Sequence, residues 1–87
     1  MQEIRNDLER AFYECGVRFE AHPEHAMWYE CAASEGNLAF EFEVCIYNEK
    51  GQHATELRCI FGNRVAFGQT IAAMARSLRI PLISWSR

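Results

Sequence analysis

The ten residues Leu38–Tyr47 alternate strictly between two sets of side chains, and this pattern constrains the fold more than any other part of the chain. One set is Leu38, Phe40, Phe42, Val44 and Ile46, and the other is Ala39, Glu41, Glu43, Cys45 and Tyr47. Because successive side chains of a strand point to opposite faces, the stretch predicts a strand with one buried and one wet face. Such a strand belongs to an antiparallel sheet that is covered on one side only.

Two segments with apolar residues at helical spacing flank the predicted sheet. The first spans residues 2–15 and ends at Gly16, and its apolar stripe is Ile4, Leu8, Ala11, Phe12 and Cys15. The second spans residues 64–79 between Asn63, an N-cap residue, and Pro81. Its inward stripe is Phe67, Ile71, Met74, Ala75 and Leu78.

Three further strands are predicted around the alternating one, at residues 17–21, 26–33 and 54–61. Turn residues separate them at 22–25, 34–37 and 48–53. The order is therefore helix, four strands, helix. This order predicts an α+β fold, a four-stranded antiparallel sheet with both helices packed on one face. The domain covers residues 1–80, and residues 81–87 form a C-terminal tail. For Trp85 in this tail three alternatives remain: it inserts at a membrane interface, packs back on the domain or is disordered at the chain end.

Length and cysteine usage indicate one small cytoplasmic domain. The 87 residues suffice for one hydrophobic core, and no apolar run approaches the length of a membrane span. The charged N-terminus is typical neither of a secretory signal nor of an anchor. The four cysteines (Cys15, Cys31, Cys45 and Cys59) contain no Cys-x-x-Cys pair, so we interpret them as reduced core thiols.

Charge is divided unequally along the chain. Residues 1–56 carry four basic and 12 acidic side chains, a net charge of −8, whereas residues 57–87 carry five arginines and no acid, +5. This division indicates either an anion-binding surface or internal pairing between an acidic sheet face and a basic helix. Independently of this choice, Glu56 and Arg58 share one face of their predicted strand, so an antiparallel neighbour with Glu41 and Glu43 is expected to supply cross-strand ion pairs.

Catalytic and metal-binding patterns are not found in the sequence. His22, Glu24 and His25 lie in one Pro-containing turn and His53 in another, which is typical of polar turns. No glycine-rich phosphate loop occurs, and the cysteines have apolar neighbours, where thiols are unreactive. We therefore predict a domain that is not an enzyme, with no cofactor and no metal. The acidic total disfavours a nucleic-acid partner.

Three segments together resemble a known family. These are the alternating strand LAFEFEVCIY (Leu38–Tyr47), the stretch FGNRVAFGQTIAAMARSLRI (61–80) and the start MQEIR (1–5). They are similar to the kinase-associated domain at the C-terminus of microtubule-affinity-regulating kinases. The resemblance implies two helices on one face of a four-stranded antiparallel sheet, as the residues themselves predict. It also implies a non-catalytic regulatory module, the C-terminal domain of a serine/threonine protein kinase. Such a module binds acidic phospholipids and, in several family members, restrains the kinase domain.

The resemblance also implies which residues bind. Arg5, Arg58 and Arg79 match basic positions of the family, and Arg64 and Arg76 add further charge. These five arginines form the expected anion- and lipid-binding set, and the protein would be cytoplasmic, with a peripheral-membrane or cytoskeletal association. Other positions that are basic in the family carry different residues here, namely Gln2, Asn6, Glu56, Cys59 and Gly68. An alternative is therefore a protein-interaction module on the same fold, whose docking surface is the acidic half or the wet sheet face of Trp28, Ala39, Glu41, Glu43 and Tyr47.

Overall fold

The computed structural model describes residues 2–47, 53–78 and 82–85. Within them the chain forms two helices and five strands in one sheet. In chain order they are α1 (Gln2–Glu14), β1 (Arg18–Ala21), β2 (Trp28–Glu35), β3 (Leu38–Tyr47), β4 (His53–Gly62), α2 (Arg64–Ala75) and β5 (Leu82–Trp85).

The sheet has the strand order β1-β2-β3-β4-β5. Strands β1 to β4 form an antiparallel meander, as short turns between consecutive strands require. The predicted order of helix, four antiparallel strands and helix is confirmed. The tail adds a strand that we did not predict from the sequence, because β5 pairs in parallel with β4. A parallel neighbour needs a long crossover, and α2 provides it.

Helix α1 ends at the glycine that the sequence indicated. The amide of Gly16 donates to the Tyr13 carbonyl (3.3 Å) and that of Val17 to the Phe12 carbonyl (2.8 Å). Gly16 has a φ of +70°. This pair of bonds is a Schellman motif, which turns the chain directly from α1 into the edge strand β1.

Both helices pack on the same face of the sheet, hereafter the inner face. From α1, the ring of Phe12 lies 5.1 Å from Phe19 and 5.5 Å from Tyr29, between ring centroids. From α2, Phe67 contacts Phe40 and Phe42 at 6.0 and 5.4 Å. Fully burying one such side chain is worth about 1.5–3 kcal/mol, so these rings supply much of the stability of a chain this short. The fully buried large side chains are Leu8, Phe12, Phe40, Phe42, Val44, Ile46, Leu57 and Met74.

The predicted stripe of α2 is partly wrong. Phe67 and Met74 are buried, and Ile71 and Leu78 pack against the core, but Ala75 is exposed. Ala66 and Thr70 are buried in addition. The helix ends at Ala75, and the amide of its C-cap residue Arg76 donates to the Ala73 and Met74 carbonyls. Helix α2 is therefore shorter than the helix predicted over residues 64–79, and so is the face that it packs on the sheet. Neither described helix has the length and apolar content to cross a membrane.

Candidate interaction surface

The sheet face turned away from the helices, hereafter the outer face, is rich in carboxylates. The inward residues Tyr29, Cys31, Phe42, Val44 and Leu57 are buried, so their alternate neighbours must point outward. Among the described side chains, the outer face carries two arginines, Arg18 and Arg58, and five glutamates: Glu20, Glu30, Glu41, Glu43 and Glu56.

Several of these glutamates are cross-strand neighbours. Glu20 lies opposite Glu30 in the β1–β2 register, and Glu30 lies opposite Glu43 in the β2–β3 register. Arg58 follows on β4, opposite Glu43. Like charges placed directly opposite one another repel, so this row of the sheet favours a cation from outside. As predicted, the Glu41–Glu43 strand pairs with the Glu56–Arg58 strand, with Arg58 opposite Glu43 and Glu56 opposite Cys45. The expected cross-strand ion pairs are not formed, because none of the ion pairs among the described residues includes Arg58.

A β-bulge places two apolar side chains beside the glutamates. The register shifts so that Glu41 pairs with Phe61 while Phe42 pairs with Cys59, which leaves Ile60 as the extra residue of β4. Ile60 is 46% and Phe61 71% exposed. Val65, in the first turn of α2, is 69% exposed. A bulge re-aims side chains in this way, and a run of exposed apolar residues on a small domain marks a contact surface.

The bulge is fixed by the residues that follow it. Gly62 has a φ of +97°, and a Cβ at this position would collide with the Ala39 carbonyl oxygen and lie 2.6 Å from Phe40 Cα. The amide of Asn63 donates to that carbonyl (3.1 Å), and its side chain caps α2 by accepting from the Ala66 amide (2.9 Å). The end of β4 and the start of α2 are therefore held in one orientation.

A depression of about 190 Å³ lies between the glutamates and the bulge. It is lined by His22, Glu30, Cys31, Glu41, Phe42, Glu43 and Ile60. His22 Nε2 lies 3.5 Å from Glu30 Oε1, and His22 Nδ1 accepts a hydrogen bond from the Glu24 amide (3.1 Å). Because Nδ1 accepts, the neutral ring carries its hydrogen on Nε2, where it faces Glu30. Three carboxylates around one apolar wall can hold a cationic side chain with an aliphatic stem.

Aromatic rings close one corner of this surface. The ring centroids of His22 and His25 are 4.7 Å apart, and Trp28 lies 5.2 Å from His25. The rings therefore pack on one another. No group of three or more His, Cys, Asp or Glu side chains within the described part of the chain is arranged to hold a metal ion. The side chains of His53 and Tyr47 lie outside the described residues.

The arginines expected to bind anions lie at separate places. Arg58 is exposed on the outer face, whereas Arg64 and Arg76 are exposed at the two ends of α2. The ion pairs found among residues 2–47, 53–78 and 82–85 include none of these three. Arg79 lies outside the described residues. The structure thus does not gather the described members of the set on one face.

Arg5, the remaining member, takes part in intramolecular contacts. Its guanidinium donates to Tyr29 Oη (3.2 Å) and to the Ala26 carbonyl, and it lies 5.6 Å from the centroid of the Tyr29 ring. Tyr29 Oη in turn donates to Glu9 (2.8 Å). Burial and the Glu9 hydrogen bond raise the pKa of Tyr29, while Arg5 acts in the opposite direction. This cluster joins α1 to the β1–β2 loop.

Cys15 and Cys31 carry no sign of nucleophilic activation. All four are free thiols. Burial raises the pKa of Cys31, and burial followed by the charge of Glu14 raises the pKa of Cys15, against a smaller opposing effect of Arg76. A raised pKa keeps these two thiols protonated and weakly nucleophilic near neutral pH.

Sequence reasoning identified the acidic part of this surface but missed its apolar part. Glu41 and Glu43 were expected on the wet face, and Trp28 with them. Ile60, Phe61 and Val65 were not expected to be exposed. The signal that could have revealed them is the break in alternation at Cys59-Ile60-Phe61, three apolar residues in succession before a glycine.

No protein-family model, curated protein or solved structure matches this chain.

Proposed function

We propose that this domain is a protein-interaction module that binds a basic segment of a partner protein on its outer face. The observation that carries the proposal is the combination of five glutamates with the exposed bulge residues Ile60 and Phe61 on that one face. A segment with lysine or arginine beside an aliphatic or aromatic residue complements both features.

Charge supplies attraction and orientation in this proposal. The repulsion within the Glu20–Glu30–Glu43 row is relieved when a cation of the partner lies between the carboxylates. A face with an excess of negative charge also steers a positively charged partner during its approach, and salt weakens this effect. The depression beside Glu30 and Glu41 accepts a cationic side chain, with Ile60 against its stem.

The apolar residues supply the part of the affinity that salt does not weaken. Phe61 is 71% exposed, and burying a phenylalanine side chain is worth about 1.5–3 kcal/mol. Ile60 extends the apolar contact along the end of β4. Aromatic residues at the centre of an interface commonly contribute most of its binding energy.

Binding of anionic membranes, as the C-terminal module of a protein kinase, stays a prediction from the resemblance. A bilayer contacts one face of a domain, and each cation near it contributes about 1 kcal/mol, so several must be grouped. The described arginines of the expected set lie on the outer face, at both ends of α2 and in the Tyr29 cluster. We therefore favour the protein partner.

The proposal is tested by selecting binders from a library of random short peptides displayed on phage, with the intact domain as the target. Enrichment of basic sequences with an aliphatic or aromatic residue supports it, and enrichment of acidic sequences or of none contradicts it. A selected peptide is then titrated by fluorescence anisotropy at low and physiological salt. We expect the affinity to fall as salt rises, because the contact is partly electrostatic.

Matched variants locate the binding face. Glu30→Lys with Glu43→Lys should weaken binding of the selected peptide by more than about tenfold, because two attractive contacts become repulsive. Glu14→Lys with Glu35→Lys changes the net charge equally, and these residues line a cleft beside α2 rather than the outer face. Equal losses in both double variants would show that only overall charge matters and would contradict a specific face.

A second pair of variants distinguishes a specific apolar contact from non-specific hydrophobic binding. Phe61→Ser should weaken binding of the peptide by about tenfold through lost burial, whereas Tyr13→Ser, at an 86% exposed position on α1, should not change the binding.

Sedimentation with phosphatidylserine vesicles tests the membrane function. Salt-sensitive vesicle binding that is lost in Arg58→Glu with Arg64→Glu would favour the membrane function and contradict our proposal.

A further inference from the structure

Strand β1 is an edge of the sheet with an unpaired side. Among residues 2–47, 53–78 and 82–85, β2 is the only strand that pairs with it. The His22 amide donates to the Trp28 carbonyl (3.0 Å), so these two residues are a hydrogen-bonded pair. Hydrogen-bonded pairs recur at every second residue of an antiparallel ladder. The backbone groups of Arg18 and Glu20 therefore point toward β2, and those of Phe19 and Ala21 point away from it. An open edge of this kind is a template for another strand.

The outward side chains of β1 are of opposite charge and two residues apart. Arg18 lies opposite Ala32, and Glu20 lies opposite Glu30, a residue of its own sign. Neither Arg18 nor Glu20 takes part in any ion pair found among the described residues. Glu20 thus has an unfavourable neighbour on one side and no strand on the other.

We propose that β1 pairs in antiparallel fashion with β1 of a second copy of this chain, centred on Phe19. In this register Arg18 of each copy lies opposite Glu20 of the other, which gives two cross-strand ion pairs on the outer face. The outward amide and carbonyl of Phe19 bond to those of the second Phe19. The amide of each Ala21 donates to the carbonyl of Val17 in the other copy. The contact is isologous, as a twofold dimer requires.

The layers of the fold are compatible with this pairing. The half-buried Phe19 packs under Phe12 of α1, with ring centroids 5.1 Å apart, so the two copies of Phe19 meet on the inner face. The two sheets continue as one, with both sets of helices on the same side. Only four residues of β1 contribute, so the dimer is expected to be weak and concentration dependent. Glu20 also belongs to the glutamate row of the outer face, so the dimer is tested on the domain alone, without a peptide, and its outcome is separate from that of the proposed function.

Sedimentation equilibrium over a wide range of protein concentration tests the pairing, with Ala21→Pro as the first variant. Proline removes only the outward amide of β1, which the β1–β2 ladder does not use, and proline is tolerated on such an edge. We expect Ala21→Pro to weaken the dimer by at least about tenfold, because two intermolecular hydrogen bonds are lost. Ala21→Val keeps the amide and is the matched control, for which we expect no weakening.

A charge exchange tests the register independently of the proline. Arg18→Glu and Glu20→Arg should each weaken the dimer by about tenfold, since both symmetry-related ion pairs become repulsive. The double variant restores opposite charges at both places and should recover the wild-type association. Circular dichroism establishes whether each variant is folded. If Ala21→Pro does not fold, the Arg18 and Glu20 variants test the dimer without it.

Two results would overturn the proposal. The first is a wild-type protein that stays monomeric at the highest concentrations reached. The second is a dimer that neither Ala21→Pro nor the single charge variants weaken, since such a dimer uses another surface. Association that the singles weaken and the double variant restores supports the proposed register.

Discussion

Replacing Gly62 with alanine tests how firmly the β4 bulge is held, and we expect the change to cost about 2–4 kcal/mol. A non-glycine residue in the left-handed region costs about 1–2 kcal/mol. Forcing a methyl group into a packed site costs about 1–3 kcal/mol more. At Gly62 both apply, because φ is +97° and the new Cβ would meet the backbone of Ala39 and Phe40. Alanine also leaves the unfolded chain fewer conformations than glycine does, and this offsets about 0.4–1 kcal/mol of the loss.

Two other glycines separate these contributions. Gly36 has a φ of +60° but nothing within 4 Å of the new Cβ, so Gly36→Ala should lose only the backbone part, about 1 kcal/mol. Gly68 lies inside α2 at an ordinary φ, also with open space, so Gly68→Ala should stabilise by about 0.5–1 kcal/mol.

Urea unfolding followed by circular dichroism measures the series. A domain of this length is stable by about 4–13 kcal/mol, so Gly62→Ala removes a large fraction of the total. The melting temperature should fall by roughly 8–32 °C, at about 4–8 °C for each kcal/mol. If Gly62→Ala and Gly36→Ala lose the same free energy within about 0.5 kcal/mol, the close approach to Ala39 does not constrain the bulge, and our reasoning is refuted.

Three further predictions concern single polar groups. Tyr29→Phe should destabilise by about 1–2 kcal/mol in urea unfolding through loss of the hydrogen bond to Glu9, and an equal loss in the Glu9→Ala background, which has no acceptor, would show that the two groups are not coupled. Thr55→Val should raise the melting temperature, since the buried Thr55 hydroxyl has no partner in the described part of the chain and its desolvation costs about 1–3 kcal/mol; a lower melting temperature would contradict this. Burial raises the pKa of Cys31, so stability should be fully present below the ordinary thiol value of 9.0 and should fall as the pH rises above it. Cys31→Ala should reduce this alkaline loss in melts across the pH range, and an unchanged pH dependence would exclude the thiol as its source.

Much of the fold could be predicted because its strongest signals are local. The alternation of Leu38–Tyr47 gives strand β3 with its observed bounds, and Gly16 and Asn63 mark the end of α1 and the start of α2. Strand β5 was not predicted, because a four-residue segment after a helix has no periodicity of its own and pairs only once β4 exists. The burial of Thr70 in place of Ala75 likewise depends on how α2 crosses the sheet.

The candidate site could be predicted only in part, because its apolar half depends on register. An unbroken ladder would alternate Cys59, Ile60 and Phe61 between the two faces. The bulge opposite Glu41 puts both Ile60 and Phe61 in exposed positions. The role of Arg5 was hidden for a related reason, since its partner Tyr29 is 24 residues away in sequence.

The glutamates of the sheet and the described arginines of residues 57–78 are distributed differently in the fold, and this decides which charge a partner meets. Side chains of a meander repeat every two residues, so Glu20, Glu30, Glu41 and Glu43 fall on one face although they are far apart in sequence. Arg64 is the first residue of the 12-residue helix α2 and Arg76 is its C-cap, so the two residues lie about 18 Å apart along the axis at 1.5 Å per residue. Arg58 lies on the sheet, where it faces Glu43. The described arginines of residues 57–78 are therefore dispersed, whereas five glutamates of the sheet share the outer face, and for this reason we favour a cationic partner over an anionic one.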